Sequence, residues 1–239
     1  METDPFTGIS KLASFHTIRF SNLDGILHLE LNQPPSNTMT LPFFIEFARA
    51  VDQVSIMKGI RGLIITGRGR HFSSGADLSS LLNHISDHAI LNPDSSLKKI
   101  PDFLLDNYQT LMQLEQFPFP VIAMIRGVCL GSALELALFC HFRLCSGDAV
   151  FAMPECSFNL VPGLGGIYKM SEFLGKAKIL ELSLRGNTFT ADEAYQMHMI
   201  DKILPKRTAL ETVIEFIATI SPDFRKEKHS LYVKKYFSS

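Results

Sequence analysis

The sequence predicts an α/β fold in one main domain. Three observations predict it. Short apolar runs with strand character recur, as in RGLIIT (Arg61–Thr66), VIAMI (Val121–Ile125) and FRLC (Phe142–Cys145). Glycine-rich turns follow the first two runs, and segments of helical period follow the turns. No shift in composition divides this series, which is the pattern of one α/β layer structure.

The elements are expected in the following order. Residues 1–15 form a flexible arm and residues 16–205 the core. His16–Ser21 and Ile26–Asn32 alternate in polarity around Asn22-Leu23-Asp24-Gly25, the signature of a hairpin. Gln33-Pro34-Pro35-Ser36-Asn37 ends the second strand. Leu41–Met57 has helical spacing, with Phe44, Phe47, Ala48 and Val51 on one face. A strand over Arg61–Thr66 leads into a loop over Gly67–Gly75, and a helix starts at Ala76 and runs to Ile85. Ser86–Lys99 is polar, carries Asn92-Pro93-Asp94 and reads as a mobile excursion. Phe103–Phe117 returns to helical period and Pro118–Pro120 stops it. Next come a strand (Val121–Ile125), a helix (Ser132–Cys140) and two strands (Phe142–Cys145, Val150–Met153). Gly166–Phe173 and Ala177–Leu184 are helical. Thr190-Ala191-Asp192-Glu193 matches a capping box and opens another helix. A strand over Ile200–Leu204 precedes helices over Thr208–Ile220 and Asp223–Phe237. The last two make residues 206–239 a helical C-terminal region.

Composition narrows the function. Apolar residues make up 46% of the 239 residues and the formal net charge is −1, a balance that argues against nucleic acid as the main partner. No stretch approaches the ~20 apolar residues that span a bilayer. METDPFTGISKL has no apolar core of a secretion signal. The four cysteines (Cys129, Cys140, Cys145, Cys156) form no CxxC pair, so buried reduced thiols in a cytoplasmic protein are expected, with no metal.

Three segments carry candidate chemistry: GRGRHFSSGADL (Gly67–Leu78), GVCLGSALELAL (Gly127–Leu138) and MPECSFNLVPGLGG (Met153–Gly166). Ser132 follows Leu130-Gly131 and opens an apolar helix, so its N–H is one of the orphan donors of a helix start. The helix dipole adds about half a positive charge there. Ala76, in the turn FSSGAD, offers a second N–H. Small residues at Gly75, Ala76, Gly131, Ser132 and Ala133 suit close backbone approach. Two such donors on one carbonyl oxygen would form an oxyanion hole, although each turn alone also suits an ordinary helix start. Glu135 lies one turn below Ser132 in the apolar run LELALF. It is either a buried carboxylate that is paired or used, or a glutamate on that helix's solvated face. Glu155 follows Pro154, and its alternative is a surface loop residue. Two carboxylates in a dry pocket would raise at least one pKa and split acid and base roles. GxSxG, the P-loop and GxGxxG are absent. His71 and His141 read as packing or helix-end residues. The basic residues Arg225, Lys226, Lys228, Lys234 and Lys235 read as a solvated helix face, with a phosphate contact as the sharper alternative.

Taken together, the segments resemble the crotonase superfamily, the enoyl-CoA hydratase/isomerase family, from about His16 to Leu204. LELNQPPSNTMT resembles the family's first coenzyme A loop. GLIITGRGRHFSSGADL and PVIAMIRGVCLGSALELAL resemble the segments giving the two oxyanion donors. MPECSFNLVPGLGG resembles the second-glutamate segment, and TADEAYQMHMIDKIL the late helix and strand. The resemblance implies a spiral of ββα units and an acyl-CoA thioester substrate, with no cofactor beyond the coenzyme A of that substrate. It implies a homotrimer or a dimer of trimers. It carries Ala76 and Ser132 onto the oxyanion hole, and Glu135 and Glu155 onto the two catalytic carboxylates of hydratases. It assigns Ser36, Asn37, Ser74, Ala76, Asp77 and Leu78 to coenzyme A contacts.

The chain departs from the pattern at several places. Gly131-Ser132-Ala133 replaces three glycines, His141 an aspartate, Asn159 a glycine, and Ile167-Tyr168-Lys169 the usual Thr-Gln-Arg. The Ser86–Lys99 excursion is longer than usual, and the C-terminal region is about one helix shorter. The leading expectation is a hydro-lyase adding water to an α,β-unsaturated acyl-CoA. The alternatives are an isomerase or dehydratase on a related thioester, including one on an acyl carrier protein, and a non-catalytic acyl-thioester-binding subunit.

Overall fold

The computed structural model describes residues 15–77, 79, 102–160, 162–205, 210–220 and 224. The expected excursion Ser86–Lys99, nearly all of the Ala76–Ile85 and Asp223–Phe237 helices, Leu78 and most of the N-terminal arm lie outside these residues. Phe15, the expected end of that arm, is instead 8% exposed and packs on Phe20.

The chain begins with a hairpin, β1 (Ile18–Leu23) and β2 (Ile26–Leu31). Leu23 pairs with Ile26, so the turn is only Asp24-Gly25, both at positive φ. That is the two-residue geometry favoured between twisted strands. β1 therefore starts and ends two residues later than the alternation suggests. Helix α1 (Leu41–Ser55) follows, with proline in its first turn. Its buried face is Phe43, Phe44, Phe47, Ala50, Val51 and Val54. Ala48, expected on that face, is only half-buried.

Strands β3 (Gly62–Gly67) and β4 (Val121–Ile125) flank α2 (Asp102–Gln116) in sequence. Then come β5 (Val128–Leu130), α3 (Ser132–Leu138), β6 (Phe142–Ser146) and β7 (Val150–Ala152). A single 3-10 turn covers Glu155–Phe158. Helices α4 (Gly166–Met170) and α5 (Lys176–Arg185), strand β8 (Phe189–Thr190) and helix α6 (Ala191–Gln196) lead to β9 (Lys202–Leu204) and α7 (Leu210–Thr219). The capping box is formed: Thr190 N donates to Glu193 Oε2 at 2.7 Å and Glu193 N to Thr190 Oγ1 at 3.3 Å.

The strands make two sheets. The larger has the order β1-β2-β3-β4-β6-β9, parallel except for the hairpin, and the smaller has β5-β7-β8. Successive strands alternate between them: β4 to β5, then β6 to β7. An isolated bridge from Ser73 to Cys129 sets the end of the Gly67–Gly75 loop beside the small sheet. This alternation winds the chain into a spiral of strand–strand–helix turns. The main core lies inside the spiral, and a second cluster (Ile26, Ile64, Ile122, Leu144, Val213, Ile217) packs α7 on the outer face of the large sheet.

Interior polar residues tie the turns together. Arg143 is 4% exposed. It donates to Met199 O and Cys140 O, both at 2.7 Å, and lies 3.0 Å from Asp201. His141 accepts from Val121 N at 2.9 Å, and His71 accepts from Val128 N at 3.2 Å. Both histidines thus anchor backbone. Cys129, Cys140 and Cys145 are buried as expected, and burial pushes Cys140 and Cys145 up to about 12. Cys156 is half-exposed, because the 3-10 turn carries it toward the surface. Among the described residues no helix is long and apolar enough to cross a membrane, and no cluster of His, Cys, Asp and Glu could hold a metal ion.

Candidate active site

Three turns meet at one cavity of 410 Å³. The first follows β3. Met39 N donates to Gly75 O at 2.8 Å and Asp77 N donates to Met39 O at 2.9 Å, which pins the backbone on both sides of Ala76. The Ala76 N–H itself has no acceptor among the described residues. The second turn joins β5 to α3. Gly131 N donates to Ala152 O at 2.9 Å, and the next amide, Ser132 N, is again without an acceptor among the described residues. The two turns touch: a Cβ on Gly75 would stand 2.5 Å from Leu130 O and 3.5 Å from Ser132 N. Gly75 also has φ +88°, so glycine is required there on both counts. The helix behind Ser132 spans only 7 residues. The unpartnered N–H groups, rather than a long macrodipole, are what this site offers to a carbonyl oxygen.

The coenzyme A loop expected from the sequence braces the first turn. Ser74 N donates to Ser36 O at 2.9 Å, and the hydroxyls of Ser36, Thr38 and Ser74 form a chain at 2.8 and 3.1 Å. Asn37 is 2% exposed at φ 49°. Its amide donates to Arg68 O at 2.9 Å and His71 O at 2.8 Å and accepts from Gln33 N, so it shapes the loop. Asp77 Oδ1 accepts from Ser79 N at 3.1 Å. Ser74 and Ala76 line the cavity, whereas Ser36, Asn37 and Asp77 are not part of its lining.

The carboxylates divide by position. Glu155 is half-buried and lines the cavity. Its Oε2 is buried without a partner among the described residues, and burial raises its pKa. Glu135 is fully buried, which excludes the solvated-face alternative. Its Oε1 accepts from Leu164 N at 2.9 Å and Gly166 N at 2.8 Å. Burial pushes its pKa up to about 7, against the Gly166 hydrogen bond and with the help of the Glu155 charge. Its Oε2 has no partner either among the described residues. A Cβ on Gly166 would meet Glu135 Cγ at 2.7 Å, so only glycine lets that amide reach the carboxylate. Asn159 closes the 3-10 turn at φ 57°, the left-handed conformation that asparagine tolerates.

The remaining walls are apolar and include Phe44, Phe103, Leu104, Phe158, Leu160 and Leu164. Phe103 and Leu104 carry no sign of the site in the sequence. A 3.6-residue period marks a buried helix face but not which cavity it adjoins. Lys169, in the segment that departs from Thr-Gln-Arg, is buried between Glu115 and Glu172 with its ammonium over Phe139.

A profile of the family described as Enoyl-CoA hydratase/isomerase matches residues 21–237. The chain belongs to the enoyl-CoA hydratase/isomerase family. A Bacillus subtilis protein named "Probable enoyl-CoA hydratase" is 35% identical over 173 residues, 72% of this chain and 63% of that protein. The peroxisomal Delta(3,5)-Delta(2,4)-dienoyl-CoA isomerase of Arabidopsis thaliana is 31% identical over 204 residues, 84% of this chain and 73% of that protein. The chain thus spans less than two thirds of the first relative's length. A Thermobifida fusca YX protein solved in complex with acetoacetyl-CoA superposes with a TM-score of 0.80, covering 96% of this chain and 91% of that one. At 24% identity this is a likeness of fold, the crotonase spiral. Both hydratases and isomerases stand among the relatives, so membership fixes the enzyme family without separating the two reactions.

Proposed function

We propose that the protein is a hydro-lyase that adds water across the double bond of an α,β-unsaturated acyl-CoA thioester. One observation carries this reading. Two unpartnered amides, Ala76 N–H and Ser132 N–H, and Glu155, whose Oε2 is buried without a partner among the described residues, line one apolar cavity, and a second such carboxylate oxygen, Glu135 Oε2, belongs to a side chain bonded to Leu164 of that lining. Buried polar atoms are normally satisfied, so such a cluster needs a ligand or a reaction to explain it.

In this reading the amides of Ala76 and Ser132 hold the thioester carbonyl oxygen. Negative charge gathers on that oxygen as water attacks the β-carbon, and two preset donors stabilise it most at that point. Glu135 takes a proton from the water. Glu155, which faces the cavity, delivers a proton to the α-carbon. The new bonds are C–O at the β-carbon and C–H at the α-carbon. The protons balance, because one carboxylate gains what the other gives up. Ser36, Asn37, Ser74, Asp77 and Leu78 are the proposed flank for the coenzyme A arm. A homotrimer or homohexamer is the proposed assembly, to be read by light scattering.

One observation favours a second reading. Glu155 lines the cavity and Glu135 does not, which suits an isomerase that shuttles a proton with a single carboxylate. Turnover in water enriched in a heavy oxygen isotope separates the two. A hydro-lyase places the label in the product, and an isomerase leaves product oxygen unlabelled. Acyl-CoA and acyl-carrier-protein thioesters of the same acid, compared side by side, identify the carrier.

A further inference from the structure

A second, much smaller cavity lies against the main one. Its volume is 10 Å³, about what one water or hydroxyl oxygen occupies on this measure. Phe44, Ser132 and Leu164 wall both cavities. The other walls of the small chamber are apolar side chains, with the exception of Asn107 on α2.

Asn107 is 7% exposed and sits on a helix face otherwise buried through Leu111 and Leu114. Its Nδ2 donates to Phe103 O at 2.7 Å, one turn back. Its Oδ1 has no partner among the described residues. The nearby buried Thr110 differs, because its hydroxyl is satisfied by Asp106 O at 3.0 Å. Ser132 lines the chamber too, and its hydroxyl is also without a partner among the described residues. Ser132 opens α3, and helical side chains lean toward the N-terminus of their own helix. That direction is the end of α3 where its free amide lies. An amide oxygen of a buried residue and a hydroxyl, both from residues that line a one-oxygen chamber among aromatic rings, are a matched acceptor and donor.

We propose that this chamber is a subsite for a single oxygen atom held between Ser132 Oγ and Asn107 Oδ1, and that Asn107 is a specificity-determining residue for acyl thioesters bearing a hydroxyl near the thioester carbonyl. The inference rests on the acyl-thioester reading of the main cavity. If Ser132 N–H holds the carbonyl, the chamber lies about one side chain away, within reach of a substituent on the first few acyl carbons. A hydroxyl there replaces both hydrogen bonds of a water. An alkyl group that displaces the water leaves Asn107 unpaired and is disfavoured.

Two measurements test this. The first is a ligand-free crystal structure at a resolution that shows waters. An ordered oxygen bonded to both Asn107 and Ser132 supports the subsite, and a chamber without density overturns it. That result does not depend on turnover, so it stands even if every thioester proves inert and the proposed function fails. The second is kcat/KM for paired enoyl-CoA thioesters that differ only by a γ-hydroxyl, with wild type, Asn107→Leu and Asn107→Gln. We expect about a tenfold preference for the hydroxylated partner in wild type, lost in both variants. Because the readout is a ratio, partial misfolding of a variant does not move it. A ratio unchanged by both substitutions, or no preference in wild type, overturns the specificity assignment. A wild type that keeps the water beside an alkyl ligand and shows no preference assigns the oxygen to the solvent instead.

Discussion

A methyl group on Gly131 would stand 2.6 Å from Glu155 Oε1. The turn that presents the Ser132 amide and the carboxylate that lines the cavity are therefore in direct contact, across a residue with no side chain. Gly131 also sits at φ 52°, where an L-residue is strained. Amide donor and carboxylate are positioned by the same close approach.

Gly131→Ala should disturb that contact more than it disturbs the fold. Strain at positive φ costs about 1–3 kcal/mol, while a displaced reacting group costs about 100-fold in turnover. Thermal melts and steady-state kinetics on one sample check both. A variant that loses stability but keeps wild-type kcat removes Glu155 from the chemistry.

Glu155→Gln and Glu135→Gln should each lower kcat by about 100- to 10,000-fold, the range of a positioned acid or base. Thioester affinity, read by isothermal titration, should hold in both. Wild-type turnover in either variant sinks the two-carboxylate mechanism; in Glu135→Gln alone it leaves the single-carboxylate isomerase, and in Glu155→Gln it removes that reading too.

Glu135 also predicts a pH dependence. Its pKa is about 7 in the fold against an ordinary 4.5, raised first by burial. A carboxyl raised in the folded state binds its proton more tightly there than in the unfolded chain. Its stabilising contribution is full below about pH 4.5 and is lost as pH rises through about 7. The ionised form weighs against the fold by about 3 kcal/mol. In Glu135→Gln the new side-chain amide oxygen could accept the same Leu164 and Gly166 N–H groups without titrating. The Tm advantage of that variant should therefore grow between pH 4.5 and 7 and then level off. A Tm difference independent of pH contradicts the assignment. In wild type, kcat/KM should rise through the same region as Glu135 ionises, and the residual activity of Glu135→Gln should lack that limb.

Arg143→Met should be among the most damaging substitutions remote from the cavity. It removes two buried hydrogen bonds, to Cys140 O and Met199 O, and the ion pair with the partly exposed Asp201, and leaves two interior carbonyls unsatisfied. A loss of about 3 kcal/mol is expected by urea denaturation. A change below about 1 kcal/mol would mean that the ion pair behaves like a surface one.

Much of this arrangement is legible in the chain, for reasons that differ by element. The capping box at Thr190 and Glu193 is local, three residues apart, and forms as expected. The burial of Glu135 is foreshadowed by its apolar neighbours, but its partners are not. Leu164 and Gly166 lie 29 and 31 residues away, and nothing local encodes the meeting. β5 escapes a sequence reading because VCL is a three-residue strand between two glycines and has no room to show alternation. The 3-10 turn at Glu155–Phe158 escapes for the same reason. Asn107 gives no signal, since one asparagine inside a helical period reads as a tolerated polar position. Only the fold places it at a cavity wall. The family resemblance supplies the long-range pairing of the three turns that spacing alone does not.

Hydration is tested most directly by the ultraviolet absorbance of purified protein mixed with a panel of short-chain, long-chain and cyclic dienoyl-CoA thioesters, with product mass read in parallel. A hydro-lyase removes the conjugated chromophore of at least one member and yields a product heavier by one water. A chromophore that shifts or disappears with no change in mass, or a panel bound and left untouched, contradicts that chemistry.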